Sequence, residues 1–332
     1  MSGVASRTLG GLALGLIVGA GALWFALRDV DFATVGAALR AAHPGWAAGF
    51  VVAYGLFHVA KALRFRWMLL TLDYAPSAGE ALRVVVVSSA ANVLLPAQLG
   101  EAIRLQWLGP DRRGRPPLSR ASVLSAVLLE RVLDVSAVMA FFGVSVASFH
   151  LASPALTAAG RIASLAAGGA LVVAISAAVW PAFALAVVQW LVRPLPTTAA
   201  GHLVAFAENA LRGLGALRRP GLALAIVVGS LAQWATMVAA TACALASVGI
   251  AAPAASSAVV VAASVVALLL PAFPGYVGAL QAAYVVALAP FAVSESAAVA
   301  ASIVANGMMV VPLLVAGAAT FRRPSSPAGA SS

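Results

Sequence analysis

Charge is what this chain has least of: only 9% of its 332 residues are Asp, Glu, Lys or Arg, against roughly a quarter in an ordinary soluble domain. With 63% hydrophobic residues, no water-soluble fold could hide the apolar surface. Cysteine is nearly absent, and the single Cys243 lies inside an apolar run, which excludes a disulfide framework and thiol or metal chemistry. There is also no His/Asp metal cluster, nucleophile elbow or Gly-rich phosphate loop in any loop long enough to hold a substrate. No metal site, no cofactor and no catalytic residue are expected, and the chain reads as a non-enzyme. Acidic residues are half as common as basic ones, giving a net charge of +10. The basic residues sit in short hydrophilic loops and not along one folded face, so the excess points to membrane topology, not to nucleic acid.

What the sequence has instead is length of apolar chain. Runs cover 9–27, 45–63, 80–95, 97–108, 119–147, 161–191, 221–248, 255–270, 276–290 and 295–320, and several exceed the roughly 18 residues needed to cross about 30 Å of hydrocarbon. They are Ala/Leu/Val-rich all round, without the period-two alternation of a barrel strand. The expected fold is an all-α polytopic membrane protein with six to ten membrane segments in one transmembrane domain, residues 1–320. A short Pro/Ser tail, 321–332, follows. The first run is longer than a signal h-region and lacks a clean cleavage site, so it is expected to remain as a helix.

The pieces flanking Pro96 and Pro271 are too short for comfortable spans, and glycines (Gly100; Gly275, Gly278) lie close by. Pro96, Gly100, Pro271 and Pro274 are therefore candidate hinges of two broken-helix hairpins, which survive at membrane depth only where they line a protein cavity. Residues 84–97 read VVVVSSAANVLLPA and residues 259–272 read VVVAASVVALLLPA, sharing eight of fourteen positions at an offset of 175. Gly100 and Gly275 continue the match. Loop charges (Lys61, Arg64 and Arg66; Arg112, Arg113, Arg115 and Arg120; Arg193 to Arg219; Arg322 and Arg323) fall on one side, taken as cytoplasmic together with both termini. On that topology the hairpins enter from opposite faces. The chain then reads as two inverted repeats, about 45–147 and 221–320, as in alternating-access transporters.

Ionisable residues inside apolar segments carry the functional signal. NVLLPAQLGEAIR places Glu101 and Arg104 just past the first break, and LLERVLD carries Glu130, Arg131 and Asp134, with Arg131 about 18 Å along its helix from Ser119. Each charge at such depth costs at least roughly 2.5–3.5 kcal/mol, so these groups must face protein or water. Two readings stand. One is a buried ion-pair lock between helices. The other makes Arg104 and Arg131 the receivers of an anionic headgroup, which guanidinium forks well, with Glu101, Glu130 and Asp134 holding them when the site is empty. Lys61, Arg64 and Arg66 are read as snorkelling anchors or as a lipid-recruiting mouth. Asn92, Gln98, Gly275, Gly278, Gln281 and Asn306 complete the candidate pathway, Asn306 being the offset partner of Arg131. His58, Gln233 and Trp67 read as packing residues.

The runs LRFRWMLL, NVLLPAQLGEAIRLQWLG, VLLERVLDV and LPAFPGYVGALQAA, in this order, resemble the lysylphosphatidylglycerol synthase transmembrane, or flippase-like, family over nearly the whole chain. The family's Pro-Ala-x-x-Gly-Glu-x-x-Arg falls on Pro96, Ala97, Gly100, Glu101 and Arg104, and its Glu-Arg-x-x-Asp on Glu130, Arg131 and Asp134. Gln98 departs from the Arg of many relatives, and Tyr276-Val277 stands where a Gly-rich pair is usual. The resemblance implies a multi-pass protein of the bacterial inner membrane, related to the flippase half of the multiple peptide resistance factor. It would translocate an anionic phospholipid or a polyprenyl-phosphate-linked lipid between leaflets, and the soluble aminoacyl-transfer domain is not expected. The alternatives are a non-catalytic partner of a separately encoded glycosyltransferase or lipid-modifying enzyme, or a small-solute permease. Expected partners are membrane lipids, with a homo-oligomer open and nucleic acid excluded.

Overall fold

The structure is a computed structural model that describes residue 24 and residues 32–72, 74–95, 100–108, 120–148, 154–213, 218–269 and 276–321. Pro96, Gln98, Pro271, Pro274, Gly275, most of the run 9–27 and the tail lie outside the described residues. Within them the regular elements are helices: α1 (Phe32–Arg40), α2 (Pro44–Leu70), α3 (Ala78–Leu94), α4 (Gly100–Leu108), α5 (Arg120–Ser148), α6 (Pro154–Val179), α7 (Pro181–Leu191), α8 (Thr197–Gly213), α9 (Pro220–Ser247), α10 (Ala254–Leu269), α11 (Ala279–Leu288) and α12 (Glu295–Thr320). By length and composition α2, α9, α12 and the segment Gly160–Val179 of α6 can each cross a bilayer. The chain is an all-α, multi-pass membrane protein.

Local chemistry sets the helix starts. Pro44 and Pro220 occupy first-turn positions of α2 and α9, where a missing N–H costs nothing. Ser77 caps α3 in a reciprocal capping box with Glu80, and Ser294 accepts from the Ala297 N–H at the start of α12. Gly278, at φ +86°, turns the chain into α11, and its N–H donates to Gln281 Oε1 at 2.7 Å. Gln281, expected on the ligand pathway, caps this helix through its Oε1.

Two sets of four helices match in length and order. α2, α3, α4 and α5 have 27, 17, 9 and 29 residues, and α9, α10, α11 and α12 have 28, 16, 10 and 26. Their packing is reciprocal: α2 lies on α9, α3 on α12, and α5 on α10. The α2–α9 seam is antiparallel. The His43 N–H donates to the Ser247 carbonyl oxygen at 2.8 Å, Gly49 lies beside Cys243, and Arg64 reaches Ser230 near the opposite end. Between the two sets run α6, α7 and α8.

Three expectations change. The segment 193–219 is not simply a loop, because α8 occupies its middle and packs on α5 and α7. The apolar residues Leu203, Val204, Phe206 and Ala207 recur at helical spacing there, diluted by His202 and Glu208. The run 161–191 breaks at Trp180–Pro181 into α6 and α7. Most consequentially, α2 does not stop near residue 63 but continues to Leu70, which carries Lys61 and Arg64 into the protein instead of leaving them at its boundary.

Candidate functional site

A line of alternating charges joins α2, α4 and α5 to α9. Arg131 Nη2 donates to Glu101 Oε1 at 2.7 Å, and Glu101 Oε2 lies 3.2 Å from Arg104 Nε. Arg104 Nη1 donates to Glu130 Oε2 at 2.6 Å, and the other Glu130 oxygen lies 3.3 Å from Lys61 Nζ and 3.5 Å from Arg64 Nη2. Arg64 Nη1 then donates to Asp134 Oδ1 at 2.7 Å and to Ser230 Oγ at 3.1 Å. The same Asp134 oxygen accepts from Trp234 Nε1 at 3.0 Å and Gln233 Nε2 at 3.2 Å.

Helical spacing makes this line possible. Glu101 and Arg104, three apart, share a face of α4, while Glu130 and Asp134, four apart, share a face of α5. α4 can come close because it begins at Gly100: a methyl group there would collide with the Ser88 carbonyl oxygen and with Asn92. Gly100 supplies proximity, and no left-handed backbone is recorded for it. Asn92 Nδ2 donates to Glu101 Oε1 at 3.5 Å, and Ser88 Oγ accepts from Arg104 Nε at 3.0 Å.

The four cations of the line, and Arg66 beside them, divide by environment. Arg104 is 0% exposed, lies 4.9 Å over the Phe65 ring and is not among the residues lining the cavity described below, so its contacts here are those of the interhelix tie that the sequence also offered. Arg64 is also 0% exposed, and the reading of it as a membrane-surface anchor is overturned, because α2 carries it past the boundary onto Asp134 and Ser230. Arg66, half-buried, donates from its Nε to the Pro76 carbonyl oxygen at 2.8 Å. Arg131 and Lys61 differ from these, for both line an open cavity.

That cavity, about 210 Å³, sits between the two four-helix sets. One wall comes from α2 (Tyr54, His58, Lys61), α3 (Ser89, Asn92) and α5 (Arg131, Asp134, Val135). The other comes from α9 (Gln233, Trp234, Thr241), α10 (Ser264, Leu268), Tyr276, α11 (Tyr284) and α12 (Met309, Leu313). Arg131 and Val135 lie one turn apart on a single face of α5; the Arg131 side chain is 38% exposed and Val135 is 42% exposed, so this face fronts the mouth. The charged residues of the wall all belong to the first set, and the second contributes neutral polar and aromatic groups.

Glu101, Arg104, Glu130, Arg131 and Asp134 are therefore brought together, with Asn92 at their edge. Asn306, 9% exposed on α12, and Gly278 do not line the cavity, and Gln98 and Gly275 fall outside the described residues. Sequence reasoning passed over Gln233 and Trp234, read as packing or not singled out, although a glutamine in an uncharged membrane run at the repeat offset from His58 was a usable signal. It also missed Tyr54, Tyr284 and Tyr276. The last holds φ +61°, a left-handed conformation uncommon for a bulky residue, where backbone strain accompanies a position in the cavity wall.

No curated protein and no solved structure matches the chain. The model of the lysylphosphatidylglycerol synthase TM region matches residues 12–317, which takes in every residue of the charge network and of the cavity wall. On that match the chain belongs to the lysylphosphatidylglycerol synthase TM region family.

Proposed function

We propose that this protein passes an anionic lipid headgroup, of phospholipid or polyprenyl-phosphate type, between the leaflets of a bacterial cytoplasmic membrane, with both termini on the cytoplasmic side. The observation that carries the reading is the cavity: an open space between two matched helix sets, walled mostly by apolar and aromatic side chains, whose lining includes Lys61 and Arg131. Ionisable groups inside membrane segments mark pathways. Arg131 suits phosphate because its planar fork binds two oxygens and sheds water more readily than an ammonium. At about 210 Å³ the space falls below the roughly 300–1,000 Å³ of drug-sized pockets. It suits a headgroup whose acyl chains stay in the bilayer beyond the Arg131–Val135 mouth.

The matched lengths, the reciprocal packing and the antiparallel α2–α9 seam support two inverted repeats, 45–147 and 221–320, with the site on their pseudo-axis. Each half then supplies one wall, and rocking one against the other exposes the site to either leaflet in turn. A purely structural partner of a separately encoded enzyme has no use for such a cavity. The test is a leaflet-flip assay in reconstituted vesicles with labelled anionic lipid. Arg131→Ala is expected to slow movement at least tenfold while its thermal unfolding stays at the wild-type midpoint. Undiminished movement in that variant would remove the mechanism.

A further inference from the structure

We propose that the headgroup received in this cavity is a phosphodiester carrying one net negative charge, and that Lys61 is the residue that selects it; this deepens the transport reading and rests on it. The network holds four cations, Lys61, Arg64, Arg104 and Arg131, and three carboxylates, Glu101, Glu130 and Asp134. Three arginines are matched one to one by short contacts: Arg131 with Glu101 at 2.7 Å, Arg104 with Glu130 at 2.6 Å, Arg64 with Asp134 at 2.7 Å. Lys61 is the fourth cation. Its Nζ lies 3.3 Å from a Glu130 oxygen that Arg64 also approaches at 3.5 Å, while Arg104 holds the other oxygen. A single carboxylate therefore faces three cations, and among the described residues of the cluster the positive charges outnumber the negative by one.

That surplus is deep in the protein. The Lys61 side chain is 12% exposed, and its position on α2 lies about 25 Å from the start at Pro44, well within the span. An unmatched charge in so apolar a setting is costly, and the cost is relieved when a ligand brings one negative charge. The ammonium has three donors and meets one Glu130 oxygen, which leaves donor capacity for phosphate oxygens on the cavity side, where Arg131 supplies a fork. A monoanion closes the balance. A zwitterionic headgroup leaves the surplus in place. A phosphomonoester or diphosphate overshoots it and places extra negative charge beside Asp134, the carboxylate of the cavity wall. Both glycerophospholipids and polyprenyl phosphosugars present the required phosphodiester, so the selection acts on charge and leaves the tail open.

The experiment measures binding and movement separately on the full-length protein. Half-saturating concentrations for thermal stabilisation in detergent are compared for phosphatidylglycerol, a polyprenyl phosphohexose, phosphatidylcholine, phosphatidic acid and a polyprenyl diphosphate. At least one of the two monoanionic phosphodiesters is expected to bind tenfold or more tightly than phosphatidylcholine, phosphatidic acid or the diphosphate, and which one identifies the tail class. Lys61→Gln is expected to bring that ligand to the phosphatidylcholine level, and Lys61→Arg to keep the preference. The wild-type series stands alone if Lys61→Gln fails to fold. Equal or tighter wild-type binding of phosphatidylcholine, phosphatidic acid or the diphosphate overturns the inference, as does an intact preference in Lys61→Gln. Flip assays on the same lipids separate the two readings. Movement without charge selection leaves transport standing and sinks this inference, whereas selective binding with no movement upholds the site and sinks transport.

Discussion

Arg104 and Arg131 are both tied to Glu101, yet they stand in different surroundings, and that difference decides what removing each one does. Arg104 is sealed between Phe65, Ser88 and Glu130, so truncating it leaves Glu130 in the protein interior with one partner fewer and takes a partner from Glu101 as well. Breaking a buried pair by deleting one member costs about 3–5 kcal/mol. Arg104→Ala is therefore expected to lower the thermal midpoint of the detergent-solubilised protein sharply, and a midpoint equal to wild type would show that the tie carries no stability. Arg131, 38% exposed at the mouth, leaves only the partly exposed Glu101 behind when truncated, and on the proposed function its loss acts on ligand binding. Asp134 offers the clearest reading of the seam, because a single oxygen collects Arg64, Gln233 and Trp234. Asp134→Asn removes the charge that holds α9 to α5 and leaves the buried Arg64 with only the 3.5 Å approach of Glu130 as counter-charge.

At the scale of elements, the junction between α3 and α4 depends on Gly100. A Cβ there meets backbone as well as the Asn92 side chain, so the helices must part to admit one. Such overpacking costs about 1–3 kcal/mol, and Gly100→Ala is expected to lower the thermal midpoint and to loosen the Arg104–Glu130 contact downstream. Gly307, on α12 with nothing within reach of an added methyl, is the control: Gly307→Ala should leave the midpoint unchanged or raise it. An equal loss in both variants would show that helix propensity, and not the close approach, governs Gly100. The helices themselves were readable because an unbroken apolar run of sufficient length has few other fates in a chain this poor in charge. The proline inside the run at 96, by contrast, lies outside the described residues, which give only the end of α3 at Leu94 and the start of α4 at Gly100. What was not readable followed from the basic residues. Lys61, Arg64 and Arg66 look like the end of a span, yet partners distant in sequence, Glu130, Asp134 and Ser230, make it affordable to bury the first two. Those partners become visible only when α5 and α9 are folded against α2. α8 was hidden likewise, its apolar face diluted by Thr, His, Glu and Asn until it read as loop.

For the molecule as a whole, the seam between α2 and α9 is where the two halves meet along their full length. The lone cysteine offers a direct handle on it. A Cβ built at Gly49 lies 3.9 Å from Cys243 Cβ, within the roughly 3.5–4.5 Å that a disulfide spans. Gly49→Cys is therefore expected to cross-link to the native Cys243 under mild oxidation, joining the halves by a bond inside one chain that proteolysis between them followed by non-reducing electrophoresis would reveal. On the proposed inverted-repeat arrangement the seam lies at the pseudo-axis and rocking of the halves changes its contacts least, so lipid movement is expected to persist in the oxidised protein and to match that of the reduced protein. A cross-link that arrests movement, with release by reductant, would mean that α2 and α9 slide or separate during transport, and the two-walled cavity would then have to open along its own axis instead of at the Arg131–Val135 face.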